Sequence, residues 1–274
     1  MKRLYTNRWF RLLLLVLLVV PTWAQAKQAG PEKTGDIITA QVAQVYDGDT
    51  VRLDDGKVIR LVGINTPEIA HRLPAEPYGD AAATQLRDRV LGHTVKVVVS
   101  ATPHDRYQRV LGDIYLPDGT WINRWMITTG AAHVYSFPDN RANITTLLKD
   151  EAQARDAHKG LWALPRYRVL AATGAFPASS IGQFHLVAGK VLSVTHGRDR
   201  TYLNFGANWR TDFTAEIPDT ALPLFKAAGL TPLARYTGRQ VLVHGRLKPV
   251  NGTLITVTHP EQLEFTDASK VTRP

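Results

Sequence analysis

The chain contains no cysteine among its 274 residues. This absence excludes a scaffold held by disulfides and any zinc site built from cysteine thiolates. The fold must therefore be held by hydrophobic cores, and the length suffices for one or two domains that each bury a core. The sequence also lacks the His-Glu-x-x-His, Gly-Lys-Ser/Thr and Gly-x-Ser-x-Gly signatures. Zinc-protease, P-loop and serine-hydrolase chemistries are accordingly not expected.

Long hydrophobic runs are scarce as well. The apolar run Leu12–Val20 has nine residues, whereas about 20 are needed to cross a bilayer. Basic residues precede this run, and Ala24-Gln25-Ala26 follows it, which is the order found in a secretory signal peptide. We interpret residues 1–26 as a signal peptide cleaved after Ala26, and an uncleaved membrane anchor is the alternative. Cleavage predicts an exported protein, periplasmic or secreted, without stable membrane association.

The charge of the chain is moderately basic. The formal net charge is +9 at pH 7, and residues 1–26 contribute four basic and no acidic side chains, so +5 remains after cleavage. A basic surface favours a polyanionic partner, although a charge of this size is weak evidence by itself. No protein partner is predicted, and a monomer is expected.

Composition and periodicity divide the remaining chain into two predicted domains. The first combines a β-meander with helices, and the second has short strands and one helix, as in a small barrel or sandwich. The predicted fold class is therefore mainly β with α. The predicted boundaries are a flexible lead-in at 27–36, a first domain at 37–167, a linker at 168–182, a small β-domain at 183–265 and a polar tail at 266–274.

Several charged side chains in the first domain occupy unusual positions. Asp47-Gly48-Asp49 places two acids around a glycine at a bend, which is also common β-turn chemistry. Arg60 lies inside the apolar run 58–62, where a guanidinium must find an anion or reach solvent. Taken singly, each residue has an ordinary structural explanation. Arg60 could be exposed on the outer face of an edge strand, and Glu68 could be a surface acid or a salt-bridge partner of Arg60. Arg109 could belong to a solvated basic loop.

Together these residues supply the parts of a phosphodiester-hydrolysing site. Such a site needs hard oxygen ligands for a divalent cation and an acid that orients or deprotonates water. It also needs cationic forks that hold the phosphate, for which arginine is apt because its planar group matches two phosphate oxygens. Asp49 and Glu68 offer the oxygens, and Arg60 and Arg109 offer the forks.

Five spaced segments resemble the staphylococcal nuclease family over about residues 37–167, namely YDGDTVRL, IRLVGINTPE, PYGDAA, DRYQRVLGDIYLPDG and EAQARDAHKGLW. The resemblance implies a five-stranded barrel of the OB type with three helices. It also implies a calcium-dependent nuclease that cuts DNA and RNA with little sequence preference. The family does not account for the C-terminal third, whose later strands resemble a second OB-like domain.

Roles for individual residues are also implied by this resemblance. The implied assignments are Glu68, Arg60 and Arg109 as catalytic residues, Asp49, Asn65 and the Thr66 carbonyl as metal ligands, and Tyr107 as a substrate contact. Arg106, the neighbour of Tyr107, is predicted as a further substrate contact. Position 65 departs from the family, which usually has an aspartate there. Calcium accepts neutral amide oxygens, so we expect Asn65 to leave a weaker metal site that still works.

The second domain offers one further candidate contact. Trp209 and Arg210 adjoin Asn208, which favours an exposed loop, whereas Phe205 and Phe213 are expected in the core. Nucleic-acid-binding barrels interleave exposed rings and arginines in this manner. We therefore predict that Trp209 and Arg210 contact the substrate. The alternative function for the whole chain is a catalytically weakened protein that binds nucleic acid on a nuclease fold.

Overall fold

The computed structural model describes residues 35–70 and 75–266. The predicted signal peptide, most of the predicted lead-in and nearly all of the predicted tail lie outside the described residues. The elements of the first domain are β1 (Ile37–Val45), β2 (Thr50–Leu53), β3 (Val58–Leu61), β4 (Ile64–Asn65), α1 (Gly79–Val90), β5 (Thr94–His104), β6 (Val110–Tyr115), α2 (Ile122–Thr128), β7 (His133–Val134) and α3 (Ile144–Asp156).

Five of these strands close into a barrel in the order β1-β2-β3-β6-β5. Strands β3 and β6 are parallel, and the other neighbouring pairs are antiparallel. Strands β4 and β7 form a separate two-stranded ladder beside the barrel. The five-stranded OB-type barrel and the mixed α+β class predicted from the sequence are confirmed.

Alternation of side chains explains why these segments form the barrel. Ile59 and Leu61 in β3 are fully buried in the barrel core, and Arg60 between them lies on the opposite face. This two-residue period is the pattern of a strand with one buried face. Arg60 is thus on the outer side of the barrel, where it can reach the loops that follow β3.

The second domain contains the remaining elements. Its strands and helix are β8 (Leu170–Ala171), β9 (Phe184–Lys190), β10 (Ser193–His196), β11 (Arg200–Asn204), β12 (Phe213–Pro218), α4 (Leu222–Ala227), β13 (Gln240–Arg246), β14 (Thr253–Thr256) and β15 (Leu263–Phe265). Short 3-10 turns lie at Gly160–Ala163, Pro165–Tyr167, Ala178–Ser180, Asp219–Ala221, Leu233–Tyr236 and Pro260–Gln262.

These strands form two four-stranded sheets, β10-β11-β12-β14 and β15-β13-β9-β8. The chain crosses from one sheet to the other just after β9, since the Val191 amide bonds to the Arg239 carbonyl and the Leu192 amide bonds to the Asn204 carbonyl. Strands β12 and β14 are parallel, as β3 and β6 are in the first barrel. The small barrel predicted here is therefore divided into two sheets with an OB-like strand order.

The segment predicted as a linker contributes to the second domain. Residues 170–171 pair in parallel with β9, and the next residue, Ala172, is buried in the core of the second domain. A side chain at Gly189 would meet the Ala172 methyl at 2.5 Å, so glycine allows the two strands to approach. Two paired residues are too few to produce a sequence period, which is why the pattern indicated only a linker.

The two domains pack through an apolar cluster of their own. Ala154, Leu161 and Trp162 of the first domain contact Leu186, Ala188 and Leu242 of the second. An apolar interface of this kind opposes independent motion of the domains. Within the part of the chain that the structure describes, no helix is both long and apolar enough to cross a bilayer.

Candidate active site

A cleft of about 540 Å³ opens on the outer side of the first barrel. It is lined by residues from four segments: the bend at 47–49, the end of β3 with the residues that follow it (60–68), the β5–β6 hairpin at 102–111 and the segment at 135–140. The predicted catalytic, metal-binding and nucleotide-contacting residues of the first domain all line this cleft. The fold therefore brings together predicted residues as far apart in the chain as Asp49 and Arg109.

Asp49 is the buried acceptor at the base of the cleft. One carboxylate oxygen accepts hydrogen bonds from the Thr66 amide at 3.0 Å and the Thr66 hydroxyl at 3.2 Å. The other accepts from the Thr50 hydroxyl at 3.1 Å and faces Arg60 Nε at 3.0 Å. A β-carbon on Gly48 would lie 2.6 Å from the Thr66 side chain, so the glycine lets the acidic bend pack against this turn.

Arg60 organises the turn that follows β3. Its Nη1 group donates to the Leu61 carbonyl and, at 2.9 Å, to the Ile64 carbonyl. Its Nη2 group donates to Asn65 Oδ1 at 3.0 Å, and Nε faces Asp49. Because a guanidinium has five N–H donors, these contacts leave one Nη2 hydrogen for a substrate oxygen.

Asn65 bridges two groups of the site. Its amide oxygen accepts from Arg60, and its amide nitrogen donates to the Thr66 carbonyl at 2.9 Å. This orientation is dictated by chemistry, since a guanidinium only donates hydrogen bonds and a carbonyl only accepts them. The oxygen predicted to ligate the metal is thus engaged by Arg60, and the predicted carbonyl ligand receives an amide hydrogen.

Glu68 follows that turn and is exposed to the cleft. Its backbone is held by Glu76, since the Glu68 amide donates to Glu76 Oε2 at 3.0 Å and the Glu76 amide donates to the Glu68 carbonyl at 2.8 Å. Partial desolvation raises the pKa of the Glu68 carboxyl, and the negative charges of Asp49 and Glu76 raise it further. Arg60 and Arg109 oppose this rise. A carboxylate with a raised pKa is a stronger base.

The loop between β5 and β6 carries the other predicted residues. Asp105 fixes its shape, because the carboxylate accepts from the Tyr107 amide at 2.9 Å, the Arg109 amide at 2.9 Å and Arg109 Nε at 2.7 Å. Arg109 Nη1 also donates to the Thr50 hydroxyl at 3.3 Å. The Tyr107 side chain is 63% exposed. The guanidinium carbons of Arg106 and Arg109 lie 4.7 and 5.6 Å from its ring centre, so the loop presents a cationic aromatic surface.

The base of the cleft contains carboxylate oxygens of the kind that a divalent cation takes as ligands. Asp47 accepts from the Asp49 amide at 3.0 Å, and burial, followed by the charge of Asp49, raises the pKa of Asp47 to about 6. A cation beside two such carboxylates would relieve their repulsion. Among the described residues, no group of three or more His, Asp or Glu side chains is arranged to hold a metal. The oxygen donors that line this part of the cleft are Asp47, Asp49 and the Thr66 carbonyl. A cation would have to displace one of the four donors that already face the Asp49 carboxylate, and water would complete its coordination.

Some residues of the cleft were not singled out from the sequence. No motif in the sequence marks Glu76 as a site residue, because its contact with Glu68 joins residues eight positions apart. Tyr135 and Phe137 line the cleft, and with His133 they form an alternating aromatic series that could have indicated them. Trp209 and Arg210 are in the loop between β11 and β12 and are not among the residues that line the cleft.

An OB-type barrel whose carboxylates and arginines line one cleft has the groups that a phosphodiester-cleaving nuclease requires. A sequence model of the family described as staphylococcal nuclease homologue matches residues 58–164. A protein of Escherichia coli described as an uncharacterized endonuclease is 36% identical over 129 residues, which cover 46% of this chain and 78% of that protein. The thermonuclease of Staphylococcus intermedius is 27% identical over 159 residues, which cover 55% and 94%. The chain therefore belongs to the staphylococcal nuclease family and carries a nuclease domain.

Proposed function

We propose that this protein is an exported, calcium-dependent nuclease that hydrolyses phosphodiester bonds of DNA, RNA or both with little sequence preference. The observation that carries the proposal is the shared cleft of Glu68, Arg109 and the buried carboxylate of Asp49. The cleft places a carboxylate of raised pKa, a guanidinium group and carboxylate oxygens around one shared space. Export is supported by the signal-like pattern of residues 1–26.

The proposed reaction divides its roles among these side chains. Calcium bound by Asp49, Asp47 and the Thr66 carbonyl would supply charge neutralisation at the phosphate and polarisation of water. Glu68 takes one proton from the attacking water, whose oxygen forms the new bond to phosphorus as the ester P–O bond breaks. Arg109 and the remaining Nη2 hydrogen of Arg60 bind the non-bridging oxygens. The departing oxygen takes a proton from solvent in the open cleft.

Little sequence preference follows from the proposed substrate contacts. Tyr107 offers a ring face, and every nucleic-acid base can stack on such a face. Arg106, beside this ring, offers a charge to the phosphate backbone, which carries no sequence information. Trp209 and Arg210 are proposed to contact substrate that extends beyond the cleft.

The orientation of Asn65 favours a second candidate, a nucleic-acid-binding protein with weakened catalysis. Its amide hydrogen is directed at the Thr66 carbonyl, so this bond competes with a cation for that oxygen. Such a protein would keep the arginines for phosphate binding and turn over slowly. The retention of Glu68 beside both arginines supports the enzyme over this alternative.

One assay separates the two candidates. The full chain is incubated with single- and double-stranded DNA and with RNA, in calcium, in magnesium or in a chelator. Cleavage in calcium that stops in chelator is expected, whereas intact nucleic acid with retarded mobility in every condition would support the binding protein. For export, we expect the mature protein to begin at Lys27, which the intact mass of protein recovered from the periplasm or medium would test.

A further inference from the structure

One wall of the catalytic cleft is tied to the second domain. This wall is the segment 135–141 that follows β7, and it includes Phe137, whose side chain is 52% exposed. Its attachment to the barrel includes reciprocal bonds between Asn140 and the Thr102 backbone, at 3.1 and 3.3 Å. Further contacts of this wall reach across the domain boundary to the second domain.

Two polar anchors connect the wall to residues 259–261. The Ser136 hydroxyl lies 2.7 Å from Nε2 of His259, whose side chain is completely buried. Arg141 Nε and Nη2 each donate to one oxygen of Glu261 at 2.8 Å. A bidentate pair of this type fixes orientation as well as distance, because both planar groups must align.

The hydrogen-bond directions around His259 are fully determined. Gln262 Nε2 donates to the His244 carbonyl at 3.0 Å, so Gln262 Oε1 must accept the Thr258 hydroxyl proton at 3.0 Å. The Thr258 oxygen then accepts from His259 Nδ1 at 3.1 Å, which leaves Nε2 as the acceptor for Ser136. Burial holds the pKa of His259 at about 4, so the ring is neutral and able to accept at neutral pH.

Aromatic contacts support the same wall from behind. Phe184 in β9 of the second domain stacks on His133 with ring centres 4.3 Å apart and planes inclined by 6°. The edge contact from Phe184 to Tyr135 measures 5.5 Å, and that from Tyr135 to Phe137 measures 5.1 Å. Contacts of this kind add to the free energy gained by burial. The series ends at the exposed ring of Phe137 in the cleft.

We propose that the second domain is a rigid support for the cleft wall, and that it presents Phe137 as a stacking surface for an unpaired base of single-stranded nucleic acid. His259 and Glu261 are positioning residues, acting through Ser136 and Arg141. The apolar cluster between the domains makes the support rigid. This role rests on the proposed nuclease function, since it assigns part of the substrate site.

The test uses substitutions in the full chain. E261Q removes the charge while keeping the size of the side chain, and the double variant R141E/E261R restores an ion pair with reversed sign. E216Q is the matched control, because Glu216 pairs with Arg200 at 3.0 Å on the second domain, away from the cleft. Steady-state cleavage of a short single-stranded oligonucleotide and amide hydrogen exchange of residues 135–141 are measured for each protein.

We expect E261Q to raise KM about fivefold with kcat little changed, because a charge-assisted bond to the wall is lost. Exchange of residues 135–141 should accelerate, and R141E/E261R should restore both readouts towards wild type. F137A should raise KM for the single-stranded substrate without accelerating exchange at the Ser136 and Arg141 anchors. E216Q should match wild type in every measurement.

Unchanged KM and exchange in both E261Q and a second variant, H259F, would overturn the proposal. Failure of the proposed function is a distinct outcome, in which the wild-type chain does not cleave under any metal condition. In that case hydrogen exchange and the fluorescence anisotropy of bound oligonucleotide still report whether the second domain supports the wall. A general loss of stability would appear as faster exchange throughout the first barrel rather than in residues 135–141 alone.

Discussion

The side-chain amide of Asn65 donates a hydrogen bond to the Thr66 carbonyl at 2.9 Å. An amide hydrogen therefore lies against the carbonyl that a cation would use, while the amide oxygen is held by Arg60. The turn is thus organised by hydrogen bonds among its own residues, with the arginine on one side and the carbonyl on the other. Any cation must either displace the amide or use the second lone pair of that carbonyl.

The first prediction concerns Asn65→Asp. A carboxylate at this position cannot donate to Thr66 and places a negative charge near Asp49. In chelator we therefore expect the variant to be less stable by about 1 kcal/mol, the usual contribution of one hydrogen bond. In calcium the added charge should lower the concentration needed for half-maximal cleavage by about tenfold, since ligand charge sets affinity in such sites.

Thermal melts and calcium titrations, with and without substrate, measure the two effects of Asn65→Asp. Asn204→Asp is the control, because Asn204 donates to hydroxyls of Ser193 and Thr195 in the second domain. An unchanged or increased calcium requirement in Asn65→Asp would show that the side chain at position 65 does not contact the metal.

The second prediction concerns Glu68→Gln. The amide keeps the size of the carboxylate but cannot take a proton from water, so kcat should fall by about 10²- to 10⁴-fold. Affinity for the oligonucleotide should change little, because the arginines that bind phosphate remain. Single-turnover cleavage and anisotropy measure the two quantities, with Asp88→Asn on the exposed side of α1 as a control. Undiminished cleavage would remove Glu68 from the mechanism.

The third prediction is a pH dependence of stability that arises from Asp113. This side chain is buried in β6, and burial raises its pKa to about 7 although Trp121 Nε1 donates to it at 2.8 Å. A carboxyl with a raised pKa stabilises the fold fully below its unfolded pKa near 4, and this contribution is lost as pH rises through about 7. The loss is at most about 4 kcal/mol for a shift of this size.

Asp113→Asn tests this dependence because the amide is neutral at every pH and its oxygen can still accept from Trp121. Relative to wild type, the variant should gain stability between pH 5 and pH 8, as followed by thermal melts. The exposed substitution Asp88→Asn should run parallel to wild type across the same range. A constant difference between Asp113→Asn and wild type would mean that Asp113 does not titrate in this interval.

The barrel and most of the cleft could be predicted because their signals are local. Ile59, Arg60 and Leu61 show the period of a half-buried strand, and the acidic bend at 47–49 stands out from its surroundings. Both features can be recognised from the sequence alone, without knowing which distant residues are in contact. They indicated a β-meander and directed attention to the residues that line the cleft, whereas the five-stranded barrel, now confirmed, was implied by the family resemblance.

The remaining features depend on contacts between distant positions. The orientation of Asn65 follows from the donor-only guanidinium and the acceptor-only carbonyl that surround it in space. The bond between Ser136 and His259 joins residues 123 positions apart, and neither residue belongs to a recognisable motif. The pairing of residues 170–171 with β9 is too short to leave a periodic pattern. Such features emerge only once the chain has folded.

The last prediction concerns Trp209, whose side chain is 49% exposed in the loop between β11 and β12. The guanidinium carbon of Arg210 lies 4.5 Å from its ring centre. Two hydrogen bonds shape the loop: Asp212 accepts from the Asn208 amide at 2.8 Å, and Asn208 Oδ1 accepts from the Arg210 amide at 3.2 Å. A ring that already packs against Arg210, in a loop held by these bonds, should lose less conformational freedom when it binds a base.

Because Trp209 does not line the cleft, it can act only on a substrate that extends beyond the cleft. Trp209→Ala should therefore raise KM for long single strands by about tenfold, the effect of losing one stacked base, and leave KM for a dinucleotide unchanged. Leu192→Ala, at a similarly exposed apolar position in the same domain, should alter neither value. Equal effects on long and short substrates would assign Trp209 to the stability of the domain, because a binding contact outside the cleft must depend on substrate length.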